Sequence, residues 1–193
     1  HKLFSSSDYG DNNRGAFGKV YHTYDLKNKR NICHVVLDSE ISLSARETTG
    51  IIAGYNEGVI FNSSVQGNGI KITGSGSIGL IAGLNSGMVS YSYSTAEIIA
   101  EDGVSVAGIV YRNEGKILSN YFTGYIEGGE SAGIVHTVNG IYGYFYNNYM
   151  AGVVTNIVTN AFYACETIQG SNNYIDSYVD VKYSNKKYTS EDE

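Results

Sequence analysis

Proline and tryptophan are absent from this 193-residue chain, and cysteine and methionine occur only twice each. Basic residues are scarce: 13 Lys and Arg against 19 Asp and Glu leave a net charge of −6. That balance argues against nucleic acid or an anionic membrane surface as a partner. No run approaches the roughly 18 consecutive apolar residues of a membrane-spanning helix, so no span is expected. Glycine does not fall at every third position, which excludes a collagen helix, and the 42% apolar share is too high for a disordered chain. The four histidines (His1, His22, His34, His136) are scattered without H-x-x-x-H or H-E-x-x-H spacing, so neither a zinc site nor a metallopeptidase centre is expected. In "GNGIKITGSG" no Lys-Ser/Thr follows a glycine where a phosphate loop needs it. The chain starts at His1 with neither Met nor a cationic–apolar leader, and we read it as a piece of a larger protein.

What is present in quantity is glycine (24) and tyrosine (18), and both recur in order. "GIIAGYNEGVIFNSS" at 50–64 returns as "GLIAGLNSGMVSYSYS" from 79 and as "GIVYRNEGKILSNYF" from 108. Three ladders follow. Gly50, Gly79, Gly108 and Gly133 step by 29, 29 and 25, with Ala161 continuing the series. Ser92-Tyr93, Asn120-Tyr121, Asn148-Tyr149 and Asn173-Tyr174 step by 28, 28 and 25. Gly67, Ala96, Gly124 and Gly152 form the third. The apolar runs between them span three to five residues and are separated by turn signals such as "YNEG", "LNSG" and "RNEG". Short strands at a fixed period, without helical spacing or N-cap signatures, predict an all-β parallel β-solenoid of five to six coils, 25–30 residues each. Each residue should then stack on its counterpart about 4.8 Å away. Recurrent glycine is expected where a corner needs φ > 0 or where backbones come too close for a side chain. Asn is expected to hydrogen-bond along its own stack.

These residues resemble the GLUG-repeat family. "GLIAGLNSGMVSYSYSTA" at 79–96 and "GIVYRNEGKILSNYFTG" at 108–124 look like its unit; "GAFG" at 15–18 with "NICHVVLDSEI" at 31–41 is similar to its opening coil, and "SNNYIDS" at 171–177 to its closing one. The resemblance implies a bacterial cell-surface or secreted protein, since such repeats occur in adhesins and in the non-catalytic region of IgA-cleaving metallopeptidases. One module is expected, with a lead-in at 1–14, an opening coil at 15–44, repeats over 45–176 and a closing segment with an acidic tail at 177–193.

Candidate sites are few. Glu57 and Glu114 share a turn position two coils apart, about 9.6 Å, near the separation of an inverting glycosidase pair. We read them instead as carboxylates of solvated turns. Glu101 and Glu130 are expected to stack with Asp102 nearby, either as an exposed acidic corner or as a calcium site. Cys33 and Cys165 would lie about 20 Å apart along the axis and should not pair. The tyrosine ladder Tyr93, Tyr121, Tyr149 and Tyr174 is either core or an exposed recognition stripe for a glycan or protein ligand of the host or cell wall. The expected role is an adhesion or ligand-presenting module without catalysis or cofactor; the alternatives are a passive spacer inside a large secreted protease and, behind it, a β-helical carbohydrate-active enzyme.

Overall fold

The computed structural model describes residues 15–17, 19–20, 31–38, 42–45, 47–138, 143–155, 169–171 and 173–175. The expected lead-in, the acidic tail, Ala161 and Cys165 lie outside them. Every element among the described residues is a strand of two to five residues, and every strand pairs parallel with its counterparts one turn before or after. One turn shows the plan: Ser77–Gly79, Ala82–Asn85, Met88–Ser90, Tyr93–Ser94 and Glu97–Ala100 contribute one strand each to five sheets, here numbered first to fifth in that order. The chain is therefore a parallel β-solenoid with five faces.

Among the described residues, four turns with a strand on all five faces cover 48–74, 77–100, 105–127 and 131–154. This is fewer than the five to six coils expected. The described residues within 19–45 and 169–175 supply some faces of a further turn at either end, which lengthens the third and fourth sheets to six strands while the first has four. Between the first two full turns the step is 29 residues at Tyr93↔Ser64 but 28 at Ile98↔Ile70, so the corner at 66–69 is one residue longer than its successor. The next step is 28 throughout.

Period-two alternation puts one ladder from each face inside. Ile60, Val89, Ile117 and Phe145 stack from the third sheet, and Ile70, Ile98 and Ile126 from the fifth, all fully buried. Each such aliphatic side chain contributes roughly 1.5–3 kcal/mol by leaving water. Val65, Ser94, Phe122 and Met150 stack inside the fourth sheet, where bulk changes sharply from turn to turn.

That change explains a departure from the expected glycine register. Gly79 pairs with Gly50 on one side but with Ala107 on the other, and Ala107 with Ala132. Gly108 and Gly133 thus stand one position further along, level with Leu80 rather than Gly79. A Cβ on Gly108 would meet the Phe122 ring at 2.5 Å and the Gly133 carbonyl oxygen at 2.0 Å. Where the corner carries bulky Ile51 or Leu80, the fourth sheet carries Val65 or Ser94; where it carries glycine, Phe122 or Met150 fills the room. The ladder glycine at 79 has a different cause: its Cβ would lie 2.0 Å from the Ala82 carbonyl oxygen and 2.4 Å from the Tyr111 amide nitrogen, across a pinched corner.

Glycine takes positive φ at the corner after the fifth sheet, with Gly74, Gly103 and Gly128 at 106°, 89° and 95°, but among the described residues the left-handed corner between the third and fourth sheets carries none. His34, Asn62, Tyr91, Ser119 and Asn147, one per turn between the third and fourth sheets, hold φ of 46–57°. Such a conformation costs a non-glycine residue about 1–2 kcal/mol. It is held by main-chain bonds to the next turn: the amides of Asn62, Tyr91 and Ser119 donate to the carbonyls of Ser90, Leu118 and Tyr146 at 3.0, 3.1 and 2.9 Å.

Candidate binding face

In the full turns the residue after each left-handed one points inward, and a hydroxyl or amide there reaches back to accept from the main-chain amide of the turn before. Ser63 N donates to Ser92 Oγ at 3.2 Å, Ser92 N to Asn120 Oδ1 at 2.9 Å, Asn120 N to Asn148 Oδ1 at 3.0 Å and Asn148 N to Asn173 Oδ1 at 3.1 Å. Their Nδ2 groups satisfy carbonyls of the third sheet, Asn120 that of Val89 at 3.0 Å and Asn148 that of Ile117 at 2.9 Å. A second buried ladder, Asn56, Asn85 and Asn113, lines the corner between the second and third sheets with amide-to-amide bonds of 2.7 Å. Buried amides in these numbers are tolerated only because each finds partners.

One residue further on, the side chain points the other way. Tyr93, Tyr121, Tyr149 and Tyr174 pair in register on the fourth sheet. Tyr121 and Tyr149 are 37% and 39% exposed, while their neighbours Phe122 and Met150 are sealed. The ladder is therefore outside. Tyr174 joins by its backbone; its side chain lies outside the described residues. The Tyr93 and Tyr121 rings stack with centroids 4.6 Å apart and planes 4° from parallel. Gln66 Nε2 donates to the Tyr93 hydroxyl at 2.8 Å. Burial, then the neighbouring Tyr93, push the Tyr121 phenol above its ordinary pKa of 10.0, so it stays neutral and can donate a hydrogen bond.

The left-handed corner adds aromatic side chains beside this ladder that periodicity alone did not mark. Tyr91 is 60% exposed and packs against Phe61 at 5.4 Å; His34 meets Phe61 edge-on at 6.3 Å, and its Nδ1 pairs with Asn62 Nδ2 at 2.9 Å. Tyr146 ends the third-sheet strand two turns on and is exposed as well. Of the large apolar side chains exposed among the described residues, Val36, Phe61, Tyr91, Tyr121, Tyr146 and Tyr149 belong to this corner and its flanking strands, leaving Phe17 and Ile99 elsewhere.

The acidic candidates are arranged differently. Glu57 and Glu114 do occupy one turn position with Ser86 between them, as the amide bonds of Glu57, Ser86 and Glu114 to Val20, Asn56 and Asn85 show. Each carboxylate faces its own cation, Glu57 with Lys19 and Glu114 with Arg112, both at 2.8 Å. Glu101 and Glu130 do not stack, contrary to expectation. Glu101 follows the fifth sheet, its amide on the Ile72 carbonyl and its Oε2 accepting from Gly74 N at 3.0 Å; the Glu130 carbonyl accepts from Val106 in the first sheet. Corners of different length, "EDGV" against "GGE", move the two carboxylates to different rungs. With Asp102 they form no calcium cage, and no group of three or more His, Cys, Asp or Glu among the described residues could hold a metal ion.

His136 is the one buried titratable group that stands out. It stacks on Tyr111 at 4.8 Å, its Nδ1 lies 3.0 Å from Thr137 Oγ1, and its Nε2 has no hydrogen-bond partner. Burial pushes its pKa below the ordinary 6.5, against the pull of the Glu130 charge. No helix among the described residues is long and apolar enough to cross a membrane. Comparison with known family models, curated proteins and solved structures yields no match to this chain.

Proposed function

We propose that this chain is a non-catalytic, ligand-binding repeat module of a bacterial surface or secreted protein, working in adhesion or ligand presentation. The observation that carries the reading is the corner between the third and fourth sheets, where exposed aromatic side chains collect over successive turns while the facing interior is fully packed. Tyrosine and tryptophan offer large, rigid contact area with a polar tip, at small entropic cost, and recur at recognition surfaces for that reason. The GLUG-like phrasing of the repeats supports an extracellular setting. The same regular stacking also suits a passive spacer within a larger secreted enzyme, which would use its rungs only for length.

Binding of the labelled chain to immobilised glycans and host matrix proteins separates the two. The binding-module reading expects saturable retention on at least one ligand, lost in Tyr121→Ala and Tyr149→Ala variants that melt like the parent. A well-folded chain that is retained by nothing would leave the spacer.

A further inference from the structure

We infer that the ligand of this corner is an uncharged polysaccharide lying along the solenoid axis, with two rungs of the protein to each disaccharide. The inference rests on reading the corner as a binding face, and deepens it. The four-residue segments that build the corner are 33–36, 61–64, 90–93, 118–121 and 146–149. They read CHVV, FNSS, SYSY, LSNY and YNNY, and contain no Asp, Glu, Lys or Arg, although 17% of the chain is charged. Most charges sit on the other faces, such as the Glu57–Lys19 and Arg112–Glu114 pairs at the second-to-third corner and Glu97 and Glu127 on the fifth sheet; Lys116, exposed at the far end of a third-sheet strand, stands at the margin. A uronate or sulfated chain would find no row of cations along these segments, only Lys116 at the margin, and a basic peptide would find no carboxylate within them. What the corner does offer is ring surface, phenol hydroxyls and amides, which match the C–H faces and hydroxyls of neutral sugars.

The spacing agrees with a linear ligand. Tyr93 and Tyr121 cover each other's ring faces and present edges and hydroxyls, so they serve as a hydrogen-bonding row. The stacking platforms are Tyr91 in the second full turn and Tyr146 in the fourth. They lie two turns apart, about 9.6 Å along the axis and the length of an extended disaccharide, and one residue apart around the coil, because Tyr146 is level with Leu118 and Ser90 whereas Tyr91 is level with Asn147. Asn147, exposed beside Tyr146 on the left-handed corner, carries an amide to the same edge.

The test is affinity electrophoresis and titration of the full chain. The probes are a soluble linear β-glucan, a soluble mannan, hyaluronan, heparin, collagen and fibronectin, at low and high salt. The expected result is retention by a neutral polysaccharide that salt leaves unchanged, weakened about tenfold in Tyr91→Ala and in Tyr146→Ala, as loss of one aromatic contact implies. Thermal melts of both variants must match the parent for that loss to count, and Tyr91→Phe, which keeps the ring, should restore binding. Retention only by hyaluronan, heparin or a matrix protein, abolished by the same variants, would overturn the neutral-polysaccharide assignment while leaving the binding face standing. Retention by none of the six probes would overturn both.

Discussion

Asn148 and Tyr149 are adjacent, as are Asn120 and Tyr121, yet the two ladders they belong to behave as different materials. The amides are buried, and each is bonded to the turn beyond and to a third-sheet carbonyl. The rings stand outside and are bonded chiefly to one another or to solvent-facing partners such as Gln66. Repetition in the sequence is equally strict in both. A repeated residue therefore does not by itself separate fold from function; the face it occupies does. The inner ladder holds the turns at their spacing, and the outer ladder uses that spacing to make a surface.

Breaking the inside should have the largest effect. Gly108→Val drives a side chain into Phe122 and the Gly133 carbonyl oxygen, and overpacking plus backbone displacement should remove more than about 3 kcal/mol. Ser105→Val, three residues earlier on a partly exposed strand position, should shift stability by under about 0.5 kcal/mol. Urea melts of the pair check the difference. Asn120→Ala comes next. It strips the Ser92 amide of its acceptor and the Val89 carbonyl of its donor, for a loss of about 2–3 kcal/mol with a two-state melt retained. Tyr121→Ala removes one partner of a stacked exterior pair, and should cost about 1 kcal/mol while affecting ligand retention far more.

The smallest effect sharpens the comparison by pH. His136 is held neutral inside, so its folded-state pKa lies below 6.5. Between 6.5 and that lower value the unfolded chain binds a proton that the folded one does not. Stability should therefore be level above pH 6.5 with respect to this group and fall as the pH drops through the folded pKa. His136→Gln should flatten that slope in melts recorded from pH 7.5 to 5, whereas Tyr121→Ala should leave it unchanged.

Much of this arrangement was legible in the residue order. The Asn-Tyr pairs were found as a ladder because both members recur, and the strand pairing joins the same residues. Parallel stacking followed from short apolar runs at one period. Three things were hidden, for physical reasons. Gly108 occupies the glycine phrase but not the glycine position, because its emptiness compensates the bulk of Phe122 on another face. The left-handed corner is imposed by main-chain bonds between turns, so His34, Asn62, Tyr91, Ser119 and Asn147 share a conformation without sharing chemistry. Phe61 and Tyr91 consequently gave no ladder in the sequence, though they are central to the exposed face. Whether tyrosine faces in or out is decided by alternation with Ser94, Phe122 and Met150, and becomes plain only once a whole turn is closed.

The most direct test of the division between inner and outer ladders uses neighbours. Thermal melts and polysaccharide retention should be measured side by side for Asn148→Ala and Tyr149→Ala. The expected result is a large drop in melting temperature for Asn148→Ala alone, and weakened retention at near-parent stability for Tyr149→Ala alone. Equal loss of stability in both variants, or undiminished retention by Tyr149→Ala, would contradict it.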